Sequence, residues 1–293
     1  MSPADSHRGD NGPGQPYWIL LPSWLHASYV KRKRTKTGDR TFLADVLTAQ
    51  YCLFLAFRIR DDLMDDGRTP RILRRAVDRL ILDAGKIFSK HFPPGAAFWR
   101  VYGKCLAGTT SATVEVDDLQ RSTETSLPAL RKAYARVNSV FRVGSAAVCR
   151  RHSRLADYPM VRSFSDRFSA GCQILDDLAD IAEDLGRGRW NYAANFIMRG
   201  SRAAAQGGRV DLKRVTGSLL SGGAGIALLG EAGRLIGNAF SAIEPLGLPH
   251  AAPCRLRYEA SIDAMKLELF TAGIAVRRGH APIGRAGMKG SRV

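Results

Sequence analysis

The chain is poor in the residues that catalysis most often uses. Histidine occurs six times in 293 residues, and no H-E-x-x-H or similar array is present, so a zinc hydrolase is unsupported. The five cysteines (Cys52, Cys105, Cys149, Cys172, Cys254) are dispersed and form no C-x-x-C pair. Neither a zinc site nor a disulfide framework is therefore indicated, and buried free thiols in a reducing compartment are expected. A G-x-x-x-x-G-K-[ST] loop, a G-x-S-x-G elbow and a dinucleotide fingerprint are all missing. The apolar run Tyr17–Leu25 is interrupted by Pro22, is too short to span a bilayer, and lacks the layout of a secretory signal. Acid is scarce as well: 27 Asp and Glu face 44 Lys and Arg, a net charge of +17. Such a balance predicts anionic partners, whether nucleic acid, membrane headgroups or phosphorylated metabolites.

Against that scarcity, carboxylates gather in two places. Between Gln173 and Tyr192, Asp176, Asp177, Asp180, Glu183 and Asp184 place five carboxylates in nine positions. Ile174, Leu175, Leu178, Ile181, Ala182 and Leu185 are threaded between them, which fits a helix better than a strand. At about 100° per residue, Asp177, Asp180 and Asp184 share roughly one sixth of the helix circumference. Like charges on one face cost stability unless a cation sits there. Hard divalent ions are the natural candidates, since Mg²⁺ takes one or two carboxylates plus substrate phosphates; a solvated acidic face is the alternative. The second cluster, Asp61-Asp62-Leu63-Met64-Asp65-Asp66, ends an apolar helical run from Phe42 to Ile59. Asp61 pairs with Asp65, and Asp62 with Asp66, at i,i+4. In so basic a chain, two carboxylate clusters on apolar helices suggest two acidic rims facing across a helical cavity, able to hold a diphosphate through bridging magnesium.

At 293 residues the chain is long enough for one large helical domain or two small ones. Helices are expected over 42–59 and into the first cluster, 72–92, 98–120, 127–151 with a bend near Gly144, 161–185, 226–243 and 256–276, with a loop plus one poorly defined helix over 200–225. Residues 1–38 are expected to form a disordered basic segment that includes Lys31-Arg32-Lys33-Arg34 and Lys36, and 277–293 a disordered basic tail. Glu115, Asp117 and Asp118 read as helix surface rather than a third rim. Gly186 and Gly188 stop the helix of the second cluster and place Arg187 and Arg189 at the mouth. There they would either grip a departing diphosphate bidentately or neutralise the rim.

The two clusters resemble the aspartate-rich motifs of class I isoprenoid synthases: trans-prenyltransferases, squalene and phytoene synthases, and terpene cyclases. D-D-L-M-D-D at 61–66 is similar to their first motif. D-I-A-E-D-L-G-R-G-R-W-N-Y, Asp180 to Tyr192, is similar to the D-x-x-x-D-x-x-x-G-R-x-Y pattern of squalene and phytoene synthases. The resemblance covers roughly 42–270 and implies an all-α, single-domain helix bundle over 39–276 with a central active-site cavity. It implies that Asp61, Asp62, Asp65, Asp66, Asp176, Asp177, Asp180 and Asp184 hold Mg²⁺, with Arg187, Arg189 and Tyr192 at the catalytic mouth. Phe57 and Leu53 stand where the family lines its pocket. Tyr134 to Gly144 resembles the tyrosine-to-glycine segment opposite the substrate, from which Arg142 would reach a diphosphate. Arg257-Tyr258 resembles the Arg-Tyr pair of microbial terpene cyclases.

The expected function is therefore Mg²⁺-dependent ionisation of an allylic prenyl diphosphate, foremost a squalene/phytoene-synthase-like condensation of two prenyl diphosphates. The Arg257-Tyr258 pair supports a terpene cyclase instead. A chain elongator ranks third because its basic substrate motifs are missing. Outside the enzymes, the same fold with dead metal sites would be a basic RNA- or membrane-binding module; core carboxylates speak against nucleic acid. A cytoplasmic location with membrane-surface attachment is expected. Oligomeric state is not legible.

Overall fold

A computed structural model describes residues 17–33, 38–65, 71–122, 125–198, 212–220 and 223–277. Among them twelve α-helices follow in order: α1 (Tyr17–Lys33), α2 (Gly38–Asp65), α3 (Arg71–Ser89), α4 (Ala97–Arg121), α5 (Leu127–Val137), α6 (Val143–Arg151), α7 (Tyr158–Ala179), α8 (Ile181–Gly186), α9 (Tyr192–Ile197), α10 (Leu212–Leu220), α11 (Ala224–Ile243) and α12 (Ala251–Arg277). No strand occurs among the described residues. The all-α expectation holds.

Helix α2 shows how the sequence builds this bundle. Phe42, Val46, Ala49, Leu53 and Ala56 recur at three- and four-residue spacing and are all buried. The segment Thr41–Leu63 is apolar and long enough to cross a membrane by length and composition. Here its faces pack on α1, α3 and α6 instead. Helix α7 lies along α11, where two backbones approach closely at Gly171: a Cβ there would come within 2.7 Å of Ile236 Cγ1 and 3.1 Å of the Ala232 carbonyl. A second close approach, at Gly144, lets the buried Gln50 accept a hydrogen bond from the Gly144 N–H at 2.7 Å and donate to the Val140 carbonyl at 3.3 Å. That amide knits α2 to the start of α6.

Three expectations about the frame need correction. Tyr17–Lys33 is not a disordered segment: Trp18, Leu21, Trp24, Leu25 and Tyr29 of α1 are buried in the main core. Each large apolar side chain so buried contributes about 1.5–3 kcal/mol, so α1 belongs to the helical domain expected to start at 39. The helix expected over 127–151 is broken by a 3-10 turn at Ser139–Arg142. The helix expected over 161–185 stops at Ala179 and restarts at Ile181, with Asp180 at the joint. At that break the Asn191 side-chain amide donates to the Asp177 carbonyl at 2.8 Å, taking an acceptor that an unbroken helix would use for its own ladder. Helix α9, capped by the Asn191 side chain at the Ala194 N–H (2.9 Å), was not anticipated. Pro253 lies in the first turn of α12, where a missing N–H costs nothing. Residues 1–16, 34–37 and 278–293, which hold part of the basic segment and the basic tail, lie outside the described residues.

Candidate active site

The first rim stands at the C-terminal end of α2. Asp61 and Asp62 are exposed and share one guanidinium: Arg58 Nη1 lies 3.6 Å from Asp61 Oδ2, and Nη2 lies 3.2 Å from Asp62 Oδ1. Asp65 is the last residue of α2, and Asp66 lies outside the described residues. The second rim spans the α7–α8 joint, with Asp176, Asp180 and Glu183 exposed and Asp184 half-buried. Burial within the cleft pushes the Asp176 carboxyl up to about 6; the neighbouring Asp180 adds to the rise, and Arg58 opposes it. Asp176 is thus reached by water yet surrounded by protein on most sides. Arg58, near the end of α2, is thus close enough to Asp176 on α7 for its charge to act there.

Asp177 behaves differently from its neighbours. It is only 3% exposed, and both its oxygens are occupied. Tyr134 Oη donates to Oδ2 at 2.6 Å, the Tyr192 backbone N–H to the same oxygen at 2.7 Å, and Gln173 Nε2 to Oδ1 at 3.2 Å. Burial pushes its carboxyl up to about 7 despite these donors. A metal ligand needs free lone pairs facing solvent or substrate; Asp177 instead anchors the motif to the core. The kink at Asp180 explains the departure from the ideal helical wheel, which grouped Asp177 with Asp180 and Asp184.

The loop after α8 is tied down by the same network. Asn191 Nδ2 also donates to Asp184 Oδ2 at 2.7 Å, the Trp190 N–H donates to the Gln120 carbonyl at 2.7 Å, and Gln120 Nε2 donates to Tyr134 Oη at 3.1 Å. Burial raises the Asp184 carboxyl, while the Asn191 amide and the Arg189 charge pull it back. Arg189 is mostly buried, with Nη2 3.7 Å from Asp117 Oδ1, so it stands between α4 and the second rim. Arg187 is exposed and paired with Glu183 at 2.9 Å. Tyr192 does not cap the mouth: its ring is buried and its hydroxyl donates to Glu231 at 2.6 Å. With Leu127, Arg131, Phe196 and Glu231, Tyr192 lines a cleft of about 210 Å³.

Further along the same helices the packing is aromatic. Phe54 precedes Asp61 by seven residues, two turns down one face of α2. Its ring stacks on Trp18 with centroids 4.6 Å apart, and Trp18 stacks on Phe141 at 5.8 Å. On the α7 side Phe168 meets Tyr17 at 4.9 Å and Tyr258 edge-on at 5.0 Å, and Tyr17 Oη lies 3.0 Å from Ser169 Oγ. Tyr17, Phe54, Phe141 and Tyr258 keep partial exposure despite this interior position. Phe57 is partly buried against the main core and has no aromatic neighbour in this belt.

Two arginines expected at the substrate lie elsewhere. Arg142 is buried, ion-paired with Asp166 and hydrogen-bonded to Ser139 Oγ at 2.7 Å. Asp166 precedes Asp176 by ten residues on α7, about 15 Å along the axis, so Arg142 is a structural cation far from the rims. Arg257 is exposed, while its neighbour Tyr258 faces inward, as adjacent helical residues point about 100° apart. Glu115 pairs with Arg136 at 2.7 Å, in keeping with a surface role. Arg58, Gln120 and Asn191 were not among the expected site residues, and Tyr134 entered only as the start of the segment opposite the substrate. Arg58 stands three and four residues before Asp61 and Asp62, a helical spacing that flags it; the separation of 43 positions from Tyr134 to Asp177 carries no such signal.

In chemical type the donors suit a hard divalent cation: all are carboxylate oxygens, and like charge within the second rim is partly uncompensated. No group of three His, Cys, Asp or Glu converges to hold a metal among the described residues. An ion there would therefore complete its shell with oxygens that the protein does not supply, as Mg²⁺ does with phosphates.

The chain matches no protein-family model and no curated protein. Its fold matches a crystal structure of a polyprenyl synthase from Roseobacter denitrificans, with a TM-score of 0.67 over 90% of each chain at 12% sequence identity. The protein thus has an isoprenoid-synthase-like all-helical fold.

Proposed function

We propose that the protein is a Mg²⁺-dependent class I isoprenoid synthase that ionises an allylic prenyl diphosphate. The observation that supports this most is the pair of carboxylate clusters, the first bridged by Arg58 and the second within reach of its charge, on helices that also carry a packed aromatic cluster. Asp61, Asp62, Asp176, Asp180 and Asp184 would hold the metal, which when bound supplies Lewis-acid stabilisation of the leaving diphosphate. Arg58 is placed to turn from Asp61 and Asp62 towards incoming phosphate oxygens, which it can meet bidentately. Arg189 adds positive charge beside Asp184. As the C–O bond ionises, the part-exposed rings of Phe54, Phe141 and Tyr258 would exclude water and offer π-faces to the allylic cation, with buried Trp18 stacked on two of them. No acid–base dyad is required for this step.

Within that class we favour condensation of two prenyl diphosphates, on the likeness of Asp180–Tyr192 to squalene and phytoene synthases. Cyclisation is the second reading, and the inward Tyr258 among Phe168 and Tyr17 favours it. The test is incubation with Mg²⁺ and geranyl, farnesyl or geranylgeranyl diphosphate, with assay of released diphosphate and analysis of the organic extract. A product of doubled carbon number supports condensation, and a hydrocarbon of unchanged carbon number supports cyclisation. Absence of release from all three, with folded protein, rejects the enzyme reading in favour of a binding module.

A further inference from the structure

Helix α12 is accounted for on one side only. Its inner face buries Ile262 and Leu269 and turns Tyr258 inward, against α11 and α10. Its outer face carries Leu256, Ala260, Asp263, Leu267, Phe270 and Ile274, spaced by four, three, four, three and four residues, and all six are exposed. Leu256 is 64% exposed, Leu267 66%, Phe270 60% and Ile274 37%. These are four of the nine large apolar side chains exposed among the described residues, so a single seam concentrates what is usually scattered. A four–three spacing of this kind, apolar except at Asp263, is the pattern by which one helix packs along another.

We infer that this seam is a self-association surface, on which a second copy of the chain lays its own α12 in antiparallel orientation about a twofold axis near Met265. The side chains decide the orientation. A parallel pairing stacks Asp263 on Asp263, two like charges in a desolvated seam. An antiparallel pairing sets Leu256 against Ile274 of the second copy, small Ala260 against large Phe270, and Asp263 against Leu267. It also brings Lys266 of the second copy beside Asp263; within one chain Lys266 Nζ already lies 2.8 Å from Asp263 Oδ1, and the twofold supplies that complement twice. One polar residue in an otherwise apolar seam commonly sets register and orientation.

The same residues disfavour a bilayer. Asp263 sits in the middle of the apolar face, and Glu259 and Glu268 flank it. Arg255 and Lys266 are matched by Glu259 and Asp263 at 2.7 and 2.8 Å. A helix lying on an anionic membrane would carry unmatched cations on its flanks. One helix seam is smaller than the ~1,600 Å² of a standard interface, so the dimer is reversible. The net charge of +17 per chain opposes association at low salt and is screened at high salt.

Sedimentation velocity of the full chain over a concentration series tests this, with mass expected to rise from 32.0 kDa towards twice that value, and further at higher salt. Leu267→Glu with Phe270→Glu should stay monomeric at every concentration while circular dichroism remains unchanged, since both side chains are exposed. Asp263→Lys should weaken the dimer about tenfold or more, and adding Lys266→Asp should restore it. The inference is overturned by a wild type that is monomeric throughout, by a double glutamate variant that dimerises like wild type, or by failure of the charge exchange to restore. Wild type that stays monomeric yet pellets with phosphatidylglycerol vesicles through this face would show a membrane surface instead. None of these outcomes depends on enzymatic activity.

Discussion

At the scale of single residues, position within the joint between α7 and α8 divides the carboxylates into two jobs. Asp176, Asp180 and Asp184 stand at the rim, whereas Asp177 is consumed by internal donors. Asp62→Ala and Asp176→Ala are expected to abolish diphosphate release with helicity unchanged; turnover near wild type in either would show that rim to be dispensable. Asp177→Ala is expected to act through the fold, leaving Tyr134 Oη and the Tyr192 N–H without their acceptor. Each buried donor so orphaned costs about 1–3 kcal/mol, read as a shift of the urea midpoint. Protonation gives a further check. An unfolded aspartate titrates near 3.9, whereas folded Asp176 and Asp177 are pushed up to about 6 and about 7. Between about pH 4 and 7 the folded state therefore holds more protons than the unfolded state, and stability falls as pH rises through that window. Thermal melts of the metal-free protein should show this decline, Asp177→Asn should flatten it, and added Mg²⁺ should reverse the part due to Asp176. A melting temperature that climbs from pH 5 to 8 would contradict the burial described for these two carboxyls.

At the scale of helices, the site depends on how closely α7 approaches α11. Gly171 allows that approach, and a Cβ 2.7 Å from Ile236 Cγ1 and 3.1 Å from a carbonyl cannot be relieved by one side chain moving. Gly171→Ala is expected to destabilise by about 1–3 kcal/mol, the usual cost of overpacking. Because Asp176 and Asp177 lie one to two turns further along the same helix, it should also lower turnover. Chemical denaturation and steady-state assay read the two effects separately, and unaltered stability would refute the close approach. Gly144→Ala should be milder, since the nearest atom, Gln50 Oε1 at 3.1 Å, belongs to a side chain.

At the scale of the molecule, the bundle is closed by its first helix. Trp18 both fills the core and stacks on Phe54 beneath the first rim. A chain lacking residues 1–33 is expected not to fold cooperatively, whereas one lacking 278–293 should melt and turn over like the full chain. Circular dichroism melts of the two truncations decide this, and cooperative folding of the first would assign α1 a peripheral role.

Some of this was readable from the residue order alone, for a physical reason. Helical periodicity is a local property, so α2, α3, α4, α7, α11 and the all-α class follow from spacing, and so does the gathering of scarce carboxylates at Asp61–Asp62 and Asp176–Asp184. Arg58 was within reach by the same rule, three and four residues before its partners. Other features are set by contacts between distant segments, which no local pattern encodes. The Tyr134 hydroxyl 43 residues away turned Asp177 from ligand to anchor, Asp166 drew Arg142 into the core, and Glu231 took the Tyr192 hydroxyl. Pro22 and a basic neighbourhood made α1 look like a tail, yet five buried large side chains outweigh them. The sequence alone determined which side chains gather along each helix; the tertiary structure decided which of them face the cleft and which hold it in place, because burial and hydrogen bonding are settled only when distant helices meet.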